Sequence, residues 1–266
     1  MNALTDLPEK GLVFLGTAGT RFNVINQRRA SGGMIASIKG VHIAIDPGPG
    51  ALVAMCSLRP MVDPNVIQAI LLTHRHIDHS GDANILAEAM TGGGRRPGGV
   101  LALPSDAIDY EPVVYGYLQR RIETIHRWET GQPISIGGTQ ITPLRLRHHG
   151  VECYGLRFHD PDDDDQDWGI ISDTAFIPEI IPFFTGCKTM VVNTTLLEKV
   201  DHIEHLSVPD VAKLIEELSP ERLFMTHLGS RILEGSPEDL AQELSKGDTE
   251  VKAATDGMVV NLRGVK

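Results

Sequence analysis

The feature that most constrains this 266-residue chain is a cluster of donor groups where a short apolar run stops. Ala69, Ile70, Leu71 and Leu72 lead through Thr73 into His74, His76, Asp78 and His79. In an extended backbone alternate side chains share a face, so His74 and His76 point the same way, and Asp78 and His79 converge from the start of a following helix. Four metal-competent groups within six residues, at the end of a buried strand, form a ligand cluster rather than a solvated loop. A polar helix entry with scattered histidines has no need of the pattern His-x-His-x-Asp-His.

The rest of the chain reads as strands first in hairpins, then mixed with helices. Strands are expected over 11–16, 32–39 and 41–45, the last two parted by Gly40 as a hairpin turn requires. Asp46-Pro47-Gly48-Pro49-Gly50 is a rigid turn. It precedes a short helix over 51–57, a strand over 70–73 and a one-faced helix over 80–90. Past a flexible loop at 91–99, strands are expected at 100–103, 121–128 and 140–147, with a helix over 111–118. Segments 153–158 and 169–172 read as a hairpin joined by the acidic stretch 160–167, a solvated loop without the ligand spacing of a calcium site. Further strands at 190–193, 222–226, 249–253 and 258–262 accompany helices over 207–218 and 237–245. Ser207 as N-cap with Asp210 three residues on is like a capping box. No linker or repeat divides the chain, so one domain over 1–266 is expected.

Composition narrows the chemistry. A hydrophobic share of 41% with 22% charged residues is ordinary for a soluble globular protein. The net charge of −11 argues against a broad nucleic-acid-binding face. It leaves room for a small phosphate-bearing substrate, because metal ions supply local positive charge. Cys56, Cys153 and Cys187 are odd in number and far apart, so no disulfide framework follows. A reduced compartment fits, with all three as small buried hydrophobes. The first ten residues lack the basic start and apolar core of a signal peptide. No apolar run approaches the ~18 residues that span a membrane. The expectation is a cytoplasmic protein without membrane association.

A dinuclear site needs more donors than residues 74–79 supply. Three further positions stand where an apolar strand stops: His148-His149 after 141–147, Asp173 after 169–172, and His227 after 223–226. With those in place, His74-x-His76-x-Asp78-His79, a later His149, Ser172-Asp173-Thr174 and Thr226-His227 together resemble the metallo-β-lactamase superfamily of metal-dependent hydrolases, nearest to the ribonuclease Z and cyclic phosphodiesterase branch. The ordered motifs span roughly 11–262, nearly the whole chain. The resemblance implies an α/β fold, an αββα four-layer sandwich of two mixed sheets with helices outside. It implies that His74, His76 and His149 hold one divalent ion, that Asp78, His79 and His227 hold a second, and that Asp173 bridges them. His149 is favoured over His148 because it lies six residues before Gly155, a spacing similar to that of this branch. Zinc is the first expectation for the two ions, and mixed His and carboxylate donors suit manganese and iron as well.

Two such ions acidify a shared water to a hydroxide that attacks phosphorus or a carbonyl carbon, with Asp78 orienting it. The leaving group needs a proton, and His205 is the candidate, in a His-Leu-Ser segment that resembles the catalytic histidine region of the same branch. Histidine suits this work because its pKa lies near working pH. The branch places a Glu where this chain has Asn193, which leaves an amide to hold the His205 imidazole. Asp46, in its tight turn, is at most a supporting residue. β-Lactamases usually carry Cys at the place of Asp173, which argues against antibiotic hydrolysis. The leading expectation is a dinuclear phosphodiesterase acting on a small phosphodiester. The alternatives are a tRNA-processing ribonuclease, a lactonase or thioester hydrolase, and a non-hydrolytic di-iron redox protein. A nucleic-acid partner is disfavoured by charge, and a homo-oligomer is left open.

Overall fold

The computed structural model describes residues 9–31, 33–59, 61–162 and 167–263. Its first sheet is built by β1 (Lys10–Phe14), β2 (Met34–Ile38), β3 (Val41–Ile45), β4 (Ile67–Leu71), β5 (Gly98–Leu103) and β6 (Ile122–Arg127). The second holds β7 (Ile134–Ile136), β8 (Thr139–His148), β9 (Val151–His159), β10 (Trp168–Ile171), β11 (Thr189–Asn193), β12 (Arg222–Thr226) and β13 (Glu250–Ala253). The last strand, β14 (Val259–Asn261), returns to pair with β1 and closes the first sheet in the order β14-β1-β2-β3-β4-β5-β6. The second sheet runs β13-β12-β11-β10-β9-β8-β7. Both are mixed: antiparallel hairpins lead into a parallel half, β3 to β6 in one and β10 to β13 in the other.

Parallel strands need cover on both faces, and period-2 alternation provides it. In β4, Ala69 and Leu71 face a core between the sheets, shared with Phe14, Trp128, Phe158 and Phe224. Ile70 turns the other way, onto α2 (Ala51–Ser57) and α4 (Ala83–Met90), against Met55 and Leu86. On the far side, α6 (Ile180–Phe184), α7 (Val208–Leu218) and α9 (Pro237–Leu244) cover the second sheet. The remaining helices are short: α1 (Thr20–Ile25), α3 (Ile77–Ser80), α5 (Gly116–Gln119) and α8 (Ser230–Glu234). The result is the expected αββα sandwich. α7 carries the expected capping box, with Asp210 Oδ2 accepting from the Ser207 N–H at 2.9 Å, and it buries Val211, Leu214, Ile215 and Leu218.

Several local expectations need correction. The helix expected over 111–118 is only α5, which starts at Gly116 after Tyr115 in extended backbone. Strands 140–147 and 153–158 form one tight hairpin: His148 pairs with Val151 across a two-residue turn, His149 and Gly150, both at positive φ. That is the twist-matched turn of a two-residue hairpin. The acidic stretch is not simply solvated. Asp160 is buried and bridges Lys39 at 2.6 Å, and Asp167 is buried against Arg157 at 2.8 Å. Residues 163–166 of that stretch lie outside the described residues, as do Gly32 and the residues 1–8 on which the leader reading rested. Cys153 and Cys187 are buried, but Cys56 is exposed on α2. Among the described residues, no helix is long and apolar enough to cross a membrane.

Candidate metal centre

The parallel halves of both sheets end at one edge, and the donors gather there. His74 follows β4, His148 ends β8, Asp173 follows β10, Asn193 ends β11 and His227 follows β12. Asp46 follows β3 at φ 49° and His227 stands at φ 54°. Left-handed backbone at two non-glycine residues costs energy, and such strain clusters at functional sites.

Four imidazoles have one ring nitrogen already engaged, and each turns the other inward. The Thr73 hydroxyl gives its proton to Asp46 Oδ2 at 2.7 Å, which leaves its lone pair for His74 Nδ1 at 3.1 Å. His79 Nδ1 donates to the same Asp46 oxygen at 3.0 Å. His148 Nδ1 donates to the Glu204 carbonyl at 3.0 Å, and His227 Nδ1 meets Thr195 Oγ1 at 3.0 Å. This leaves His74 Nε2 buried without a hydrogen-bond partner. His79 Nε2 and His227 Nε2 face each other at 3.2 Å, and His148 Nε2 faces His76 Nδ1 at 3.1 Å. Facing nitrogens at such separations share either a proton or a cation, and histidines at metal sites have their outer nitrogen held in this way.

Among the described residues, five overlapping sets of three have donor atoms within 4.8 Å of one another. One joins His148, His149 and His205, and two that share no residue are His74, His76 and His148, and Asp78, His79 and His227. Asp173 lies between them. Its Oδ2 is 3.5 Å from His79 Nε2 and 3.7 Å from His148 Nε2. A cavity of about 30 Å³ opens beside the second group, lined by Gly16, Asp46, Asp78, His79, Asn193 and His227 among others.

His149, the expected donor at the end of β8, is not the residue brought against His74 and His76. Along β8 the buried positions run Leu144, Leu146, His148, so His148 points inward by strand alternation. His149 is the first residue of the turn and is exposed. Its ring lies 4.7 Å from that of His148 and 5.5 Å from that of His205.

His205 lies beside Asp173 and His148. Its Nδ1 is buried, without a hydrogen-bond partner, 3.7 Å from Asp173 Oδ2. Asn193 does not hold it. The Asn193 amide donates instead to Asp173 Oδ1 at 2.8 Å, which leaves Oδ2 to face the two donor groups. The residue that positions the His205 segment is Glu204. Its carboxylate accepts the backbone N–H of His149 and lies 3.4 Å from Arg147 Nε, while its carbonyl holds His148. Glu204 and Thr195 carried no motif that sequence reading could find. Asp46 turns out to be central, anchoring Thr73 and His79 together.

The electrostatics match this geometry. Burial lowers His74 well below the ordinary histidine range and brings His76 and His205 to about 4, and it lowers His148 as well. Those rings are therefore neutral at pH 7, with lone pairs to donate. Burial works against Asp173 and Asp78 as carboxylates, yet both are held below the ordinary carboxylate range: Asp173 by His227, His205 and His79, and Asp78 by His227 and His79. Burial also opposes charge on His79, but Asp46 and Asp173 raise it well above the histidine range. A proton on His79 thus balances carboxylates that a bound cation would otherwise balance.

A family model described as Beta-lactamase superfamily domain matches residues 42–228. An uncharacterized protein of Methanocaldococcus jannaschii, MJ1374, is 31% identical over 259 residues, covering 94% of each chain. Among solved structures, the metallo-beta-lactamase fold protein YhfI from Bacillus subtilis is similar with a TM-score of 0.76 at 20% identity, over 94% of this chain and 97% of that one. A diphosphatase of the PhnP family is similar with a TM-score of 0.70 at 20% identity, over 94% and 96%. These two similarities are of fold.

Proposed function

Since the chain belongs to the beta-lactamase superfamily domain family, we propose that it is a dinuclear metal-dependent hydrolase that cleaves a small phosphodiester. His74, His76 and His148 would hold one divalent ion and Asp78, His79 and His227 a second, with Asp173 Oδ2 facing both groups. The observation that carries this reading is the set of four imidazoles whose outer nitrogens are fixed, with one inner nitrogen, His74 Nε2, buried and unpartnered. When bound, two such ions supply Lewis acidity toward the phosphate and lower the pKa of water.

The chain's own residues do the rest. Asn193 takes up Asp173 Oδ1, so that carboxylate offers one oxygen to the centre. Asp46 and Thr73 hold His79 and His74 in register, which fixes donor positions before any substrate arrives. His205 stands beside Asp173 with an unpartnered nitrogen; neutral at pH 7, it first takes the proton that the attacking water gives up and then passes it to the leaving alcohol. The phosphorus target, rather than a carbonyl, draws support from the diphosphatase named among the similar folds.

Elemental analysis of purified protein, paired with an assay on bis(p-nitrophenyl) phosphate, tests the proposal. About two zinc or manganese ions per chain with turnover is the expected result. Two irons without turnover would move the reading to redox chemistry, and folded protein that binds no metal would remove it.

A further inference from the structure

Exposed apolar side chains scattered singly are normal, but several on one rim are not. Ile77, 68% exposed, stands between His76 and Asp78. Ile203, 40% exposed, precedes His205 by two residues. Phe22 and Ile25, 65% and 72% exposed, are three apart and share the outer face of α1. That helix belongs to the same rim. Its first residue, Thr20, aims its N–H at His227 Nε2 over 3.4 Å, and α1 packs against α3, which carries Asp78 and His79. Asn23 pins its inner face, donating to the carbonyls of Gly19 at 2.8 Å and Leu228 at 3.1 Å. Phe22 and Ile25 are left facing solvent on a helix that packs against α3.

The arginines on the segments bearing the donors are closed on carboxylates. Arg75, between His74 and His76, pairs with Asp106 and Glu111; Arg147 pairs with Glu204, and Arg231 with Glu198. Arg21 lies with its guanidinium 5.7 Å from the centre of the Phe22 ring. A polyanion needs a row of free cations, and here Arg75, Arg147 and Arg231 are already neutralised by carboxylates, with Arg21 lying over the Phe22 ring.

On the diester reading above, we infer that the substrate is a phosphodiester with one apolar arm, aryl or alkyl, and no charge beyond that of the diester. The arm lies across Ile77 and the outer face of α1 while the phosphate sits between the donor groups. Ile77 and Phe22 are specificity-determining residues of this site.

The test uses the metal-loaded protein and two readouts. The first is the ratio of kcat/KM for phenyl p-nitrophenyl phosphate to that for methyl p-nitrophenyl phosphate, in the wild type, Ile77→Ser and Phe22→Ser. Comparing ratios between proteins cancels the intrinsic reactivity of the two esters. The ratio is expected to fall about tenfold or more in the variants, the scale of lost apolar contacts in a specificity pocket. The second readout is calorimetric binding of diphenyl phosphate against dimethyl phosphate, with the diphenyl preference expected to shrink likewise. Binding that follows this pattern without turnover of any diester would sink the hydrolase reading and keep the apolar arm. Ratios and binding preferences equal in all three proteins, at equal metal content, would overturn the arm and leave the hydrolase reading standing.

Discussion

The Nδ1–H of His148 donates to the carbonyl oxygen of Glu204 at 3.0 Å, and the residue after Glu204 is His205. A donor from the end of β8 and the candidate proton donor are therefore two parts of one backbone clasp. The clasp fixes which nitrogen of His148 faces His76. It also distinguishes His148 from His149, which supplies only a backbone N–H to the Glu204 carboxylate.

Metal content should separate those two histidines. His148→Ala is expected to lose about one ion per chain, since three protein donors are the usual minimum at such a site. His149→Ala should retain both ions. Elemental analysis after exhaustive dialysis reads the difference directly, and the opposite pattern would return the ligand role to His149.

Glu204 offers a second test. Glu204→Ala keeps the peptide carbonyl that holds His148 but frees the segment from Arg147 and from the His149 N–H. Metal content should stay near that of the wild type. Turnover of a diester with a poor, alkyl leaving group should fall on the order of tenfold more than turnover of a p-nitrophenyl ester, because only the poor leaving group needs a proton. An equal fall on both substrates would remove His205 as the proton donor.

Much of this centre was legible because its donors sit at strand ends. The cluster from His74 to His79 announced itself by density, and Asp173 and His227 by following apolar runs. At 148–149 the strand's own period carries the signal: Leu144 and Leu146 fix the inward face of β8, and alternation carries that face to His148. Other features had no local signal. α1 has only six residues, and its place is set by Asn23 bonding to Gly19 and Leu228, the latter 205 residues away in sequence. Asp46 read as a turn residue because its partners, Thr73 and His79, lie about thirty residues on. Short-range patterns cannot report bonds of that span.

Asn193 leads to a prediction about affinity. The amide and Asp173 Oδ1 are 2.8 Å apart and both are buried, so Asn193→Leu strands one carboxylate oxygen and frees the group to rotate. Supporting residues of this kind typically contribute 10–100-fold in metal affinity. Competition with a fluorescent chelator should show a loss of about that size in Asn193→Leu. A shift of less than about twofold, in protein with unchanged thermal stability, would mean that Asp173 is positioned without it.

Close packing against His227 leads to another. A Cβ on Gly19 would lie 2.1 Å from the His227 carbonyl oxygen and 2.6 Å from its Nδ1. Gly19→Ala must therefore push the loop after β1 away from a donor residue. Overpacking of this kind costs about 1–3 kcal/mol, and weaker metal binding should accompany it. Chemical denaturation and chelator competition on the same variant check both effects, and wild-type values in both would show that the loop yields freely.

The stability of the metal-free protein should peak near pH 6.5. His76 and His205 stand at about 4 in the fold, and His74 is also depressed, chiefly through burial. For such groups the unfolded chain takes up the proton first, so stability falls as pH drops from about 6.5 toward 4. His79 has the opposite sign: Asp46 and Asp173 outweigh its burial and raise it. Its contribution is full below about 6.5 and is lost as pH rises toward its folded value. Each proton contributes at most about 1.4 kcal/mol per pH unit. Urea midpoints measured in EDTA at pH 4.5, 6.5 and 8.5 should therefore be highest in the middle, with the depressed carboxylates Asp78 and Asp173 failing only at lower pH. Added zinc should raise the midpoint most at pH 8.5, where the donor histidines carry the fewest protons for the metal to displace. A midpoint in EDTA that climbs from pH 6.5 to 8.5 would show that His79 does not carry the balancing proton.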